Sequence, residues 1–321
     1  MKPLSIFISP RGIVNYIAPY LSVDHYAIEG EDSDNYIYLY DGDDIINCGN
    51  GNNNIRSGGG NNKITCGNGK SNFVSSRDGN DRITIGNGES GYVSSGGGDD
   101  VIIANTAKTT VYAGPGNDYI LTGAGVDTIL GDSGNDVIRS GSGNDKVYGM
   151  TGDDIIYAGE GDDMISGGVD YDVLYGNGGN DVIYGNVGDD VLYGNDGNDK
   201  LTGGWGNDII DGGWGNDIID TSDEYSDPRS RSHVDVLTGG QGADLFIIRD
   251  AFSSLGPSDY AIITDFDLTR DRIQLYRDRS YTLTNTGLDT NIYSKGDLVA
   301  VLEDCLMTKL LTTYIDWRTP V

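Results

Sequence analysis

The stretch AGPGNDYIL TGAGVDTIL GDSGNDVIR SGSGNDKVY, Ala113 to Tyr148, is one nine-residue unit written four times, and eight more copies follow without a gap to Asp220. The sixth place of the unit is always aspartate: Asp118, Asp127, Asp136, Asp145, Asp154, Asp163, Asp172, Asp181, Asp190, Asp199, Asp208 and Asp217. The eighth is always aliphatic, from Ile120, Ile129, Ile138 and Val147 through to Leu201, Ile210 and Ile219. A period this strict predicts a solenoid, in which each unit buries its apolar side chain only by stacking on its neighbours.

Working outward, the same phase survives past Asp220. TSDEYSDPR has the length of one block but puts Glu224, Ser226 and Pro228 where glycine, aspartate and the aliphatic belong, so it is expected to bulge out as a loop. Two blocks then return in register, with Asp235/Leu237 and Asp244/Phe246. Toward the N-terminus the phase begins near Gly30 in degenerate form. Its sixth places read Asn35, Asp44, Asn53, Asn62, Ser71, Asp81, Ser90, Asp100 and Thr109, with one extra residue before Asp81 and another before Asp100. If two blocks make a turn, residues 18 apart stack. One side then carries Asp44, Asn62, Asp81, Asp100 and Asp118; the other carries Asn35, Asn53, Ser71, Ser90 and Thr109 and turns acidic only at Asp127. The first side is a thinned metal-binding row, and the second is expected to be held by uncharged polar side chains, asparagine ladders among them.

The domain organisation follows. Residues 1–29 are an N-terminal cap covering an otherwise open edge, 30–112 the degenerate part of the roll, and 113–247 the regular part. Residues 248–321, with the strand-like runs AIITDF, DRIQLY, TNIYSK and DLVAVLE, form a small C-terminal β-cap.

The unit can be written G-G-x-G-x-D-x-U-x. The x-U-x part suffices for a short strand with its middle side chain inward, and the first six residues need backbone shapes that glycine supplies. Asp132, Asn177, Asn186 and Asn195 at the second place are types that tolerate the left-handed region. Met150 at that place and Asp170 for the fourth glycine depart from it. Such a turn gathers backbone carbonyls and one carboxylate. Oxygen donors alone suit a hard cation, and a set of 6–8 of them suits calcium better than magnesium. The candidate ligands are the twelve aspartates above together with Asp235, Asp244, Asp100, Asp81 and Asp44. One ion per adjacent pair of intact turns would give roughly ten ions, on the order of +20 of charge, against a formal −29.

GGWGNDIID, GEGDDMISG and GDDVLYGND resemble the RTX, or haemolysin-type, calcium-binding nonapeptide, strongly over about 113–247 and more faintly over 30–112. The resemblance implies an all-β, right-handed parallel β-roll solenoid of nine-residue repeats, with several Ca2+ ions held by the sixth-place aspartates and turn carbonyls. It also implies export by type I secretion machinery, through an uncleaved C-terminal signal within 248–321, to the extracellular space or cell surface. MKPLSIFISPRGIVNY, which lacks a clean apolar core and a small-residue cleavage site, fits that route.

Other functions find little support. The acidic balance, 50 acidic against 21 basic residues, argues against nucleic acid or an anionic membrane as partner, and no apolar run is long enough for a membrane span. Two histidines, His25 and His233, leave zinc sites and histidine catalysis unsupplied. GDSG at 131–134 sits in repeat phase with no histidine near it in sequence, and Gly69-Lys70-Ser71 lacks the spacing of a phosphate loop. The chain is therefore expected not to be an enzyme. The favoured function is a secreted calcium-binding repeat protein that folds on calcium outside the cell, with a structural or cell-surface role. The alternatives are an adhesin that binds cell-surface polysaccharide along Tyr157, Tyr175 and Tyr193, and an accessory scaffold of a secreted enzyme. Stacking would also bring Cys48 and Cys66, one turn apart, within disulfide range and leave Cys305 over.

Overall fold

The computed structural model describes residues 4–7, 15–17, 25–30, 32, 34–222, 233–248, 260–275 and 280–306, the first two segments by backbone alone. The chain is an all-β parallel β-solenoid, with no helix among the described residues. It divides into two compact units, Met1–Glu160 and Gly161–Val321.

In the first unit, strands on one side run from Tyr26–Glu29 through Ile45–Asn47, Lys63–Cys66, Arg82–Ile85, Val101–Ala104, Tyr119–Thr122 and Val137–Ser142 to Ile155–Glu160, each parallel to the next. Strands on the other side run from Asn35–Tyr38 through Asn53–Arg56, Ser71–Ser75, Ser90–Ser94, Thr109–Tyr112 and Thr128–Ser133 to Lys146–Thr151. The strands are short because each block offers only one large aliphatic side chain to the interior in most turns. Ile46, Ile64, Ile83, Ile102, Ile120 and Ile138 form one buried row, and Ile37, Ile55, Val74, Val93, Val111 and Ile129 the other. Each fully buried Ile contributes about 1.5–3 kcal/mol, and β-branching suits the pleated surface.

The register corrects one expectation. Asn53 pairs with Asn72, and Asn72 with Gly91, so the two extra residues enter before Asn72 and before Gly91. The sixth places are Asn72 and Gly91, and Ser71 and Ser90 lie outside the buried row. The core decides this: Val74 and Val93 are fully buried, and strict alternation then carries Asn72 inward and Ser71 out.

In the second unit, Val173–Gly178, Val191–Asp196, Ile209–Trp214, Val234–Gln241 and Tyr260–Ile263 stack in parallel on one side. Met164–Val169, Val182–Val187, Lys200–Trp205, Ile218–Asp220, Leu245–Ile247 and Arg272–Gln274 do so on the other. Parallel stacking therefore continues beyond Ile247 to Gln274, where Ile273 lies on Phe246. Asp297–Leu302 pairs parallel to Tyr260–Ile263 and antiparallel to Asp289–Ser294, which pairs with Tyr281–Thr286. Partners across the break in the repeat, such as Ile219 and Phe246, are 27 residues apart, so one block is left out of the stack. The loop expected at TSDEYSDPR falls mainly outside the described residues.

Left-handed backbone occurs where the unit requires it. The second-place residues Asp132, Met150, Asn177, Asn186 and Asn195 have φ between 72° and 89°, and Asp170 has φ 82°. At Gly143 (φ 126°) a Cβ would run into the carbonyl oxygen of Gly125 one turn below, so the stack leaves no room there for any side chain.

Candidate metal centre

Every sixth-place side chain is turned inward by the strand that follows it, because the aliphatic two places on must be buried and alternation carries the aspartate to the same face. The predicted aspartates, from Asp44, Asp81, Asp100 and Asp118 through to Asp217, Asp235 and Asp244, are all at most 8% exposed. They line up one turn apart. The backbone N–H of Asp100 donates to Oδ1 of Asp118 (2.7 Å), that of Asp118 to Asp136 (2.8 Å), and that of Asp127 to Asp145 (2.7 Å). In the second unit the N–H of Asp163 donates to Asp181, Asp181 to Asp199 and Asp199 to Asp217, each at 2.8 Å. Asp172 donates to Asp190 and Asp190 to Asp208, each at 2.9 Å, so the departures at Asp170 and Tyr171 leave the Asp172 turn in line. Across the break, Asp208 donates to Asp235 (3.1 Å) and Asp217 to Asp244 (2.9 Å).

Only one carboxylate oxygen is used in this way. Oδ2 of Asp44, Asp118, Asp136, Asp181, Asp190, Asp199, Asp208, Asp217 and Asp244 is buried and accepts no hydrogen bond. Its surroundings are specific. The space where a Cβ would stand on the first-place glycine of the block holds that oxygen, and faces the first-place carbonyl one turn on. At Gly131 the pair is Asp136 Oδ2 and the Gly149 carbonyl, 2.8 Å from that point; at Gly176 it is Asp181 Oδ2 and Gly194 (2.9 Å); at Gly185, Asp190 Oδ2 and Gly203 (2.6 Å). Two acceptors thus face each other with no donor between them. An unpaired buried acceptor costs about 1–3 kcal/mol, and here the cost recurs turn after turn.

Burial sets the electrostatics. Desolvation pushes Asp118 up to about 8, Asp181, Asp190 and Asp217 to about 7, and Asp136, Asp199 and Asp244 to about 6, all from 3.8. Asp208 rises to about 9, through burial first and the charge of Asp235 second. The carboxyls raised to about 7 or above, Asp118, Asp181, Asp190, Asp208 and Asp217, hold a proton for much of the time near neutrality unless a positive charge replaces it. No three acidic, histidine or cysteine side chains converge among the described residues, so a cation here would draw on one carboxylate per turn and on backbone carbonyls. A hard divalent ion fits that donor set: oxygen only, carbonyl-rich, with an orphaned carboxylate oxygen that at Gly131, Gly176 and Gly185 stands where a Cβ would be.

The repeat matches the RTX calcium-binding nonapeptide repeat over residues 27–55 and, in overlapping copies, 85–219, just over half of the chain. The chain belongs to the RTX calcium-binding repeat family. No curated protein sequence matches this chain. Among solved structures, this RTX chain is similar to the AlgE6R3 subunit of the Azotobacter vinelandii mannuronan C5-epimerase, at 25% identity and TM-score 0.29, over 47% of this chain and 81% of that one. It is also similar to the extracellular lipase LipA of Serratia marcescens, at 14% identity and TM-score 0.19, over 92% of this chain and 40% of that one.

Two sets of residues that hold the RTX turns were missed in the sequence. The fifth place is Asn or Asp in ten of the twelve regular blocks, and at Asn117, Asn135, Asp162, Asn180, Asp189 and Asn198 its side-chain oxygen accepts the N–H of the residue one turn on. Asn117 to Asp99 (2.9 Å), Asn135 to Asn117 (2.7 Å), Asn198 to Asn180 (2.9 Å) and Asn216 to Asn198 (2.8 Å) form this exposed outer ladder. Its regularity was visible in the repeat, where the place was read as variable. Asp271 is the second omission. Its Oδ1 accepts the N–H of Asp244 (3.0 Å) and its Oδ2 that of Asp267 (2.8 Å), so it ends the row with both oxygens used. The signal was Asp271-Arg272-Ile273, a D-x-U three blocks past Asp244 and still in the nine-residue phase.

Away from the turns, Tyr175 and Tyr193 stack with centroids 4.9 Å apart, and the Arg139 guanidinium lies 4.2 Å over the ring of Tyr157. The expected thiol pair is present, with Cys48 and Cys66 Sγ atoms 2.8 Å apart, buried, and unbonded covalently; Cys305 is free as well.

Proposed function

We propose that this chain is a secreted calcium-binding repeat protein whose aspartate turns fold when calcium becomes available outside the cell, and that its role there is structural or cell-surface associated. The observation that carries this reading is the repeated cradle: a buried carboxylate with Oδ1 committed to the next turn and Oδ2 facing a backbone carbonyl with no donor between them. Asp118, Asp127, Asp136, Asp145, Asp154, Asp163, Asp172, Asp181, Asp190, Asp199, Asp208, Asp217, Asp235 and Asp244 would hold the ions, with Asp44, Asp81 and Asp100 serving the sparser N-terminal row. Calcium, when bound, would supply the positive charge that lets these buried carboxyls ionise and draws the facing carbonyls together. The residues do the rest: Oδ1 fixes the side chain, a first-place glycine keeps the cradle open in blocks such as those of Asp136, Asp181 and Asp190, and the aliphatic row excludes water.

Coupling of ion to fold suits export. Inside the cell, where free calcium is scarce, unpaired carboxylates would keep the chain extended enough for type I secretion machinery; extracellular modules bind at about 10⁻⁴–10⁻³ M. The test is circular dichroism of the full chain in EDTA and then in rising calcium, with ions counted on the folded form. Gain of β-structure with several ions bound per chain is expected. A chain fully folded in EDTA and carrying no calcium would overturn the reading.

A further inference from the structure

We infer that the turns around Asn53, Asn62 and Asn72 need no cation, because an asparagine amide stands where the aspartate turns leave room for one. The inference goes beyond the calcium reading of the aspartate turns and rests on it for its contrast. It divides the chain into a part that folds unaided and a part that waits for calcium.

Asn62 shows the substitution within an otherwise acidic row. Its Oδ1 accepts the N–H of Asp44 (3.1 Å), as each aspartate Oδ1 does for its neighbour. The other branch of the fork is an NH2 group in place of Oδ2. It donates to the Gly60 carbonyl (2.8 Å) and to Ser76 Oγ (3.2 Å). The opposite row repeats the exchange. Asn35 Nδ2 donates to the Cys48 carbonyl (2.6 Å) and to Asn53 Oδ1 (2.7 Å). Cys48 holds the first place one turn on, so this contact joins the same two places that bring Asp136 Oδ2 to the Gly149 carbonyl. Asn53 Nδ2 donates to the Gly51 carbonyl (2.8 Å) and to Asn72 Oδ1 (2.9 Å), and Asn72 Nδ2 to the Gly67 carbonyl (3.3 Å).

The chemistry is a matter of sign. A carboxylate and a carbonyl are both acceptors, and only a cation or a proton between them makes the contact favourable. An amide brings its own donors and no charge, so carbonyl, side chain and backbone N–H are all satisfied with nothing added. Three successive sixth places, Asn53, Asn62 and Asn72, are amides, and all are at most 2% exposed. The strands they introduce bury Ile55, Ile64 and Val74 completely. Asparagine at these places therefore sets ion demand, much as a specificity residue sets ligand choice.

Hydrogen exchange read by mass spectrometry on the full chain tests this, at pH 7.5 in excess EDTA and again in millimolar calcium. In EDTA, peptides from 53–75 should keep at least 100-fold protection, while peptides from 182–196 exchange within tenfold of the unfolded rate. In calcium both should be protected. Equal, unprotected exchange of 53–75 in EDTA would overturn the inference. Failure of 182–196 to gain protection with calcium would strike the calcium reading instead, a separate result. Protection of both segments in EDTA would overturn both, since the contrast would be gone. Asn62→Asp sharpens the assignment: it should lose at least tenfold protection over 53–66 in EDTA, recover it in calcium and bind one more ion. Loss that calcium does not restore, with the ion count unchanged, would show that the amide does not hold a cation's place.

Discussion

Within residues 35–136 two rows of sixth places run on two sets of equally short strands over the same kind of core, and they differ in chemistry. One reads Asp44, Asn62, Asp81, Asp100, Asp118, Asp136; the other reads Asn35, Asn53, Asn72, Gly91, Thr109, Asp127. Both keep register, because the backbone asks of each turn only that its N–H find an acceptor. Asn72 Oδ1 serves Asn53, Asp127 Oδ1 serves Thr109 (2.6 Å), and the N–H of Gly91 goes to the Lys108 carbonyl (2.8 Å). Carboxylate at the sixth place is thus not a requirement of the solenoid. On the calcium reading proposed above, it is a requirement of the ion.

The largest expected effect separates the acidic turns from the amide turns by pH. Asp118, Asp181, Asp190, Asp208 and Asp217 are raised from 3.8 to between about 7 and 9 by burial. In the absence of calcium the folded form binds more protons than the unfolded one between these limits. Its stability is therefore greatest below about pH 4 and falls as pH rises toward 9. In EDTA, β-structure measured by circular dichroism should be largely lost between pH 4.5 and pH 8. With saturating calcium at pH 8 it should be retained. Calcium affinity should fall as pH drops from 8 to 5, because ion and proton compete for Oδ2; a midpoint independent of pH would break the comparison.

Next in size is the core that both rows share. Ile55→Ala beneath the amide row and Ile129→Ala beneath the start of the acidic one should each cost about 2–5 kcal/mol in calcium, by chemical denaturation. Only the second should also raise the calcium concentration needed to fold.

Smaller still, and more telling, is a pair of changes at one acidic turn. Asp199→Ala removes the acceptor for the Asp181 N–H and should cost about 1–3 kcal/mol in calcium, with at least one ion lost. Asp199→Asn keeps that acceptor and supplies a donor, so it should lose the ion yet leave the calcium-free form more stable than wild type. Melting in EDTA and in calcium distinguishes the two. The smallest effect is expected at Met150, a non-glycine residue with φ 88°. Met150→Gly relieves a conformation costing about 1–2 kcal/mol and should raise the melting temperature slightly in both conditions.

Much of this is legible in the sequence. The strict period carried the solenoid, the aliphatic eighth place carried the core, and the constant aspartate carried the row of carboxyls, because each is a single physical demand repeated many times. The second-place Asp and Asn residues announced their left-handed backbone. What escaped notice depended on neighbours rather than on period. Ser71 and Ser90 were placed inward by counting, whereas burial of Val74 and Val93 moves Asn72 and Gly91 there. The fifth-place ladder was hidden because an exposed hydrogen bond leaves no hydropathy signal. Asp271 was hidden because the two sixth places between it and Asp244 are Ser253 and Ile262, so the run of aspartates is broken although the spacing of 27 keeps the phase.

Asp271 has a wider consequence. A parallel stack of this kind is in effect a polymer, since each turn presents to the next the acceptors that the previous turn presented to it. Left open, such a face invites a second chain, and end-to-end growth becomes a route to fibres. With one oxygen on Asp244 and the other on Asp267, both oxygens of Asp271 are already engaged within the chain. Nearby, Asp297–Leu302 takes the place of the next parallel strand and is itself covered by antiparallel partners that cannot continue the pattern. The repeat carries its own chain terminator, which lets a sequence built for propagation stop at a defined length.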